Sequence, residues 1–237
     1  MKCTAILSFS IISMVLSAVS CISQDTGVVT GAMMCSVVSR NELLSDNGVS
    51  FEIKKDRTAG IPDGTERVMA NCEITDIKKT GNNAYCAELL EFAPVTIKNP
   101  VAGRQSETDT LGHDAIDATV WLGNGYINAM VSVLKAKDSD IRHSINLEFD
   151  GSRSNSDTLF FKFRHNAFED SPDYPGTDFS TLDIFRSYHS FRLDGLLPPH
   201  VDSIVLHIEN EWFHTVGGVL TKNRTVFSGD LKYHVTP

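Results

Sequence analysis

The second half of the chain alternates. Ile141-x-His143-x-Ile145-x-Leu147-x-Phe149 sets a side chain of one kind at every second position, almost all of them apolar. Leu159-x-Phe161-x-Phe163, Ile204-x-Leu206-x-Ile208 and Phe227-x-Gly229-x-Leu231-x-Tyr233-x-Val235 repeat the pattern. Successive side chains of a strand point to opposite faces, so each run has one greasy face and one wet face. That is the signature of a half-buried antiparallel sheet. Several such strands can hide their apolar faces only against one another, which gives two sheets packed face to face. Ala118-x-Val120-x-Leu122 and Tyr126-Ile127-x-Ala129-x-Val131-x-Val133 flank Gly123-Asn124-Gly125. Asn-Gly between alternating runs predicts a tight hairpin, because both central residues of its turn need positive φ.

The first half is also β-rich but less regular. Val37-Val38, Val49-x-Phe51-x-Ile53, Val68 to Ile74 and Tyr85 to Ile97 read as strands, with a polar loop over 54–64. Asn99 to His113 is poor in apolar residues and reads as a linker, which puts a domain boundary near 105. Helical signal is sparse; one turn or two near Thr181 to Phe185 is the best candidate. The fold class expected is therefore all-β, in two units spanning about 33–105 and 106–237.

The N-terminus is of another kind. Lys2 is followed by an uncharged apolar run from Cys3 to Val19, too short and too Ser-rich to span a membrane comfortably. It matches a secretory signal, residues 1–20, ending in the small residues Ala18-Val19-Ser20. The next residue is Cys21, and small residues followed by cysteine at the cut resemble the bacterial lipobox. Cys21 is thus the expected site of acylation, with 21–32 holding the lipidated residue and a polar tether. Several acyl chains make a lasting membrane anchor where one does not, at ~0.8 kcal/mol per buried methylene. The whole chain carries a formal charge of −9, and loss of Lys2 with the signal makes it −10. That balance argues against nucleic acid as a partner.

Three cysteines remain in the body: Cys35, Cys72 and Cys86. Cys72 and Cys86 flank a hairpin-like turn at 79–83, so a cross-strand disulfide is one reading and two buried free thiols the other. No catalytic signature appears: no Gly-x-Ser-x-Gly, no His-Glu-x-x-His and no phosphate-cradling glycine loop. The eight histidines show no metal-ligand spacing. No cofactor, metal or catalytic residue is expected. The most polar constellation is Arg164-His165-Asn166-Ala167-Phe168-Glu169-Asp170, with Asp173, Asp178 and Asp183 after it. It reads either as an oxygen-rich calcium loop or as a strand end that hydrogen-bonds its own loop.

Several of these segments resemble the NigD-like lipoproteins. They are Gly64-Thr65-Glu66-Arg67-Val68-Met69-Ala70-Asn71, Val95-Thr96-Ile97-Lys98 and Trp121-x-x-x-Gly125-Tyr126-Ile127-Asn128. His143-x-Ile145-Asn146-Leu147, Phe163-Arg164-His165-Asn166-Ala167-x-x-Asp170 and Phe179-Ser180 continue the series. The resemblance implies a small OB-type barrel followed by an antiparallel β-sandwich, held by lipid in the envelope, at the outer membrane. It implies no known activity, so the expected role is a non-catalytic binding or scaffold module for an envelope protein or glycan. The family's name comes from a bacteriocin operon, so an accessory or immunity lipoprotein is the alternative.

Overall fold

The computed structural model describes residues 28–77, 83–103, 110–171, 178–198, 202–216 and 219–234. The calls on Cys21, the signal and most of the tether lie outside them. No described helix is long and apolar enough to cross a membrane.

Five strands form a closed barrel: β1 (Val28–Ser39), β2 (Glu42–Ser45), β3 (Ser50–Asp56), β4 (Arg67–Ile77) and β5 (Ala84–Pro94). Their order is β1-β2-β3-β5-β4, closing on β1. All pairings are antiparallel except β3 with β5, which the loop before β4 makes parallel. Bulges in β1 and β4 supply the extra bend that closure of so few strands needs. Cys35, Leu43, Phe51, Val68, Ala70, Cys72, Ala87 and Leu89 fill the interior.

The rest is a sandwich of two sheets. β7 (Val101–Ala102), β10 (Ser144–Asp150), β11 (Thr158–Asn166), β13 (Ser203–Val216) and β14 (Val219–His234) form one, in the order β14-β13-β11-β10-β7. β6 (Thr96–Lys98), β8 (Asp117–Gly123), β9 (Tyr126–Ala136) and β12 (Leu182–Arg192) form the other, in the order β6-β12-β9-β8. Ile127, Ala129, Val131 and Val133 of β9 meet Leu147, Phe161, Phe163, Leu206 and Ile208 between the sheets. The alternation read from the sequence is this core.

Three expectations need correcting. Pairing passes from barrel to sandwich between Pro94 and Thr96, earlier than the boundary near 105. β6 and β7, short as they are, pair with β12 and β10. The sandwich is not purely antiparallel, since β6–β12, β7–β10 and β11–β13 run parallel. And 182–192 is a full strand, β12, preceded by a single 3₁₀ turn at Phe179–Thr181. Its register against β9 sets Phe191, His189, Ser187 and Phe185 opposite the inward row Ile127, Ala129, Val131 and Val133. Polar members of that row hid the period.

The disulfide reading also falls. Cys72 lies opposite Leu89, and Cys86 opposite Asp76, so the two sit rows apart on β4 and β5. At about 3.3 Å per residue their separation exceeds what one S–S bond can bridge. Cys35, Cys72 and Cys86 are free thiols.

Candidate functional site

The most concentrated polar chemistry lies where barrel meets sandwich. Arg67 opens β4 and is fully buried. Its guanidinium donates to Ser36 Oγ at 2.8 Å, Asp46 Oδ1 at 2.7 Å, Asn128 Oδ1 at 3.0 Å and Ser190 Oγ at 3.3 Å. Ser36 and Asp46 belong to the barrel; Asn128 and Ser190 face each other across β9 and β12. They lie on the outer face of that sheet, the face turned away from the sandwich core. Ser190 Oγ closes the set by donating to Asn128 Oδ1 at 2.7 Å.

Asp46 gathers the opposite charge. Its carboxylate accepts from Trp121 Nε1 at 2.7 Å and Asn128 Nδ2 at 3.0 Å as well as from Arg67. A buried ion pair is tolerable only when its remaining donors and acceptors are satisfied, and here they are. The β8–β9 turn plugs the joint. Asn124 and Gly125 take φ of 51° and 83°, the turn predicted from Asn-Gly. In that conformation Asn124 Nδ2 donates to Leu44 O at 3.0 Å. A Cβ on Gly123 would overlap the Asp46 side chain, so only glycine lets the turn come this close. Arg67 also lies 4.7 Å from the Tyr126 ring centroid. At the rim, Arg192 donates to both oxygens of Glu66 at 2.6 Å, and its hydrogen bond and charge hold that carboxyl below its usual range.

The sequence-flagged cluster on β11 forms a second assembly. Arg164 Nε donates to Gly112 O at 2.9 Å; its other nitrogens reach Glu148 and, at 3.0 Å, His113 Nε2. Asn166 Nδ2 donates to Thr110 O at 3.3 Å, while its Oδ1 accepts from the Phe168 N–H at 2.8 Å. His165 Nδ1 meets Ala115 O at 2.8 Å. A carbonyl only accepts, so that nitrogen carries a proton. His165 Nε2 lies 3.0 Å from His143 Nδ1, and His143 Nε2 lies 3.0 Å from Asp170 Oδ2. That tautomer leaves His165 Nε2 as an acceptor for His143 Nδ1. The cluster thereby clasps the segment 110–116 to β11 and ties the loop after β11 to the start of β10.

The carboxylates considered for calcium do not converge. Asp170 faces His143, Asp178 Oδ1 accepts from the Ser180 N–H, and Asp183 is exposed on β12; Asp173 lies outside the described residues. Among the described residues no three histidine, cysteine, aspartate or glutamate side chains are grouped to hold an ion. Trp121 and Tyr126, which flank the Asn-Gly hairpin, are both part of the joint. Trp212 packs beside Phe213 against a small core of Ala115, Leu134 and Leu182.

Residues 99–211 match the model of the NigD-like C-terminal beta sandwich domain. Over that stretch the sandwich is similar to the NigD-like C-terminal domain, and β14 lies beyond the match. No curated protein sequence matches the chain. Among solved structures, a protein of unknown function from Bacteroides vulgatus superposes with a TM-score of 0.62 at 16% identity, over 88% of this chain and 92% of that one. A NigD-like immunity protein from Bacteroides caccae gives 0.59 at 17% identity, over 88% and 97%. A protein described as a lipoprotein, from Bacteroides fragilis, gives 0.59 at 8% identity, over 87% and 99%. These crystal structures share the whole two-part architecture. The sandwich contributes Trp121, Asn124, Asn128 and Ser190 to the joint, and the barrel supplies the charged pair. Sequence reasoning quoted Arg67, Trp121, Gly125, Tyr126 and Asn128 as landmarks without seeing that they meet. Asp46, their common partner, carried no signal beyond being an aspartate in a turn.

Proposed function

We propose that the chain is a lipid-anchored envelope protein, held through Cys21, that binds or scaffolds an envelope protein or glycan and catalyses nothing. The observation that supports this best is the joint. Arg67, Asp46, Asn128 and Trp121 weld barrel and sandwich into one body, which is what a spacer or docking platform requires and a hinged enzyme does not. In both polar assemblies the charged groups are turned to the chain's own backbone and side chains rather than toward a cleft. The acidic balance disfavours nucleic acid. The outer membrane is the location proposed, from the lipobox-like sequence and the family resemblance.

Two measurements test the reading. Mass spectrometry of the mature N-terminus from the native host should find acyl mass on Cys21 and loss of 1–20; an unmodified sulfur in a soluble protein overturns the anchor. In-cell crosslinking from the body should then capture a specific envelope protein or glycan, and turnover of any envelope polymer by the pure protein overturns the non-catalytic part. One neighbour of the same fold is described as an immunity protein, which favours as a second reading an accessory or immunity role in a bacteriocin system. Deletion of the gene with toxin output and toxin sensitivity both unchanged removes that reading.

A further inference from the structure

The barrel has a greasy mouth. β1 begins with Val28 paired to Ile74 of β4, and β4 ends with Ile77 paired to Tyr85 of β5. Directly paired residues share a face of the sheet. Ile74 and Tyr85 pack on the barrel core, so Val28 and Ile77 continue the inward-facing row past the point where the core closes. There they are left in water: Val28 is 53% exposed and Ile77 57%. Val29, next to them, is 53% exposed. These are the ends of three strands remote from the joint, since Arg67 starts β4, Ser36 lies late in β1 and Pro94 ends β5.

The position of this rim in the chain says what covers it. Only residues 22–27 separate Cys21 from Val28. Fully extended, the stretch from Cys21 to Val28 reaches at most about 25 Å, and a flexible chain of that length averages roughly 15 Å. A bilayer holding Cys21 is therefore never more than a few residues' reach from the rim. Charge near the rim is mixed: Glu73 and Asp76 lie on β4, Lys78 and Lys79 follow Ile77 in the sequence, and the mature chain is acidic overall. The contact is assigned to the exposed apolar side chains and an interfacial tyrosine.

We propose that the end of the barrel remote from the joint, rimmed by Val28, Val29, Ile77 and Tyr85, rests in the interfacial layer of the bilayer that carries Cys21, as a second membrane contact beside the acyl chains. β1, β4 and β5 then lead away from the membrane and present the sandwich at their far ends. This inference rests on the proposed anchor at Cys21.

The test uses the full-length lipidated protein in vesicles of phosphatidylethanolamine and phosphatidylcholine. A nitroxide is placed at Ile77→Cys, with Cys86→Ser to leave only buried native thiols, and at Val226→Cys on β14 as the distant control. The expected result is an oxygen collision effect exceeding that of a water-soluble nickel chelate at position 77, with the order reversed at 226. Vesicle-bound protein with aqueous values at both positions overturns this proposal while leaving the anchor standing. Protein that does not stay with vesicles overturns the anchor and this proposal together. Concentration-dependent dipolar broadening at position 77 assigns the rim to a second copy of the chain and also overturns it. Circular dichroism of each labelled variant checks that the barrel is intact.

Discussion

Arg67→Met is the substitution that asks most of the joint. Methionine keeps the length of the side chain and removes every donor. The Asp46 carboxylate would then stay in its nearly closed site with only Trp121, Asn128 and a long contact from Asn124. Asn128 Oδ1 and Ser36 Oγ would lose a donor each. Removing one member of a buried ion pair costs about 3–5 kcal/mol, most of it the burden of the charge left behind. For a body of this size each kcal/mol lowers Tm by about 2–4 °C, so the expected fall is roughly 10 °C. Urea unfolding followed by circular dichroism and by tryptophan emission measures it. Trp121 donates to Asp46, so its emission should also change at zero denaturant. A double-mutant cycle with Asp46→Asn should give a coupling energy in the upper part of the usual 0.5–3 kcal/mol range. A loss below about 1 kcal/mol, or additive effects of the two substitutions, would refute the claim that this pair welds the domains.

Three other outcomes are expected. Gly123→Ala drives a methyl into the Asp46 side chain and should cost about 1–3 kcal/mol, with Trp121 emission shifted; an unchanged Tm contradicts the close approach. Burial, then the charge of Lys98, pushes the His189 imidazole down to about 4. An unfolded histidine titrates near 6.5, so the unfolded state binds the extra proton first. Stability is then complete above pH 6.5 and falls by up to about 3 kcal/mol as pH drops toward 4, a loss that His189→Leu should flatten in urea midpoints at pH 7.5 and 4.5. Among the three body cysteines, half-buried Cys86 should react first with a thiol reagent. Burial pushes the Cys35 and Cys72 thiols up to about 12 and about 11, so both should wait for denaturant; two fast thiols would contradict that order.

What could be read in the sequence was what one strand decides locally. The rows through Ile145, Leu147 and Phe149 or Ile204, Leu206 and Ile208 announce themselves, because burial on one face leaves a period of two. The Asn124-Gly125 turn announces itself because few residues accept its backbone. β12 did not, since Ser187 and His189 occupy inward positions and both faces of its first half are open to water. β6 was read only as the tail of the run from Tyr85 to Ile97 and β7 not at all, because three residues and two residues carry no period and only partners far along the chain make them separate strands. The joint was half legible. Its residues stood out as a pattern, but the pattern does not say that Asp46, in a loop of the barrel, is the atom group they all address.

β6 and β7 leave the barrel first and pair late. Synthesis proceeds from the N-terminus, and by Pro94 every barrel strand exists. β7 then waits for Glu148 and Phe149, and β6 for His189 to Phe191. Contacts of such long sequence separation belong to the slow class of folding events. The barrel can therefore close while the two edge strands dangle from it, and Arg67 meets water until Asn128 and Ser190 arrive. Arrival of β9 and β12 is what turns a solvated arginine into a buried one, so the step that closes water off from Arg67 also fixes the two halves in a single orientation.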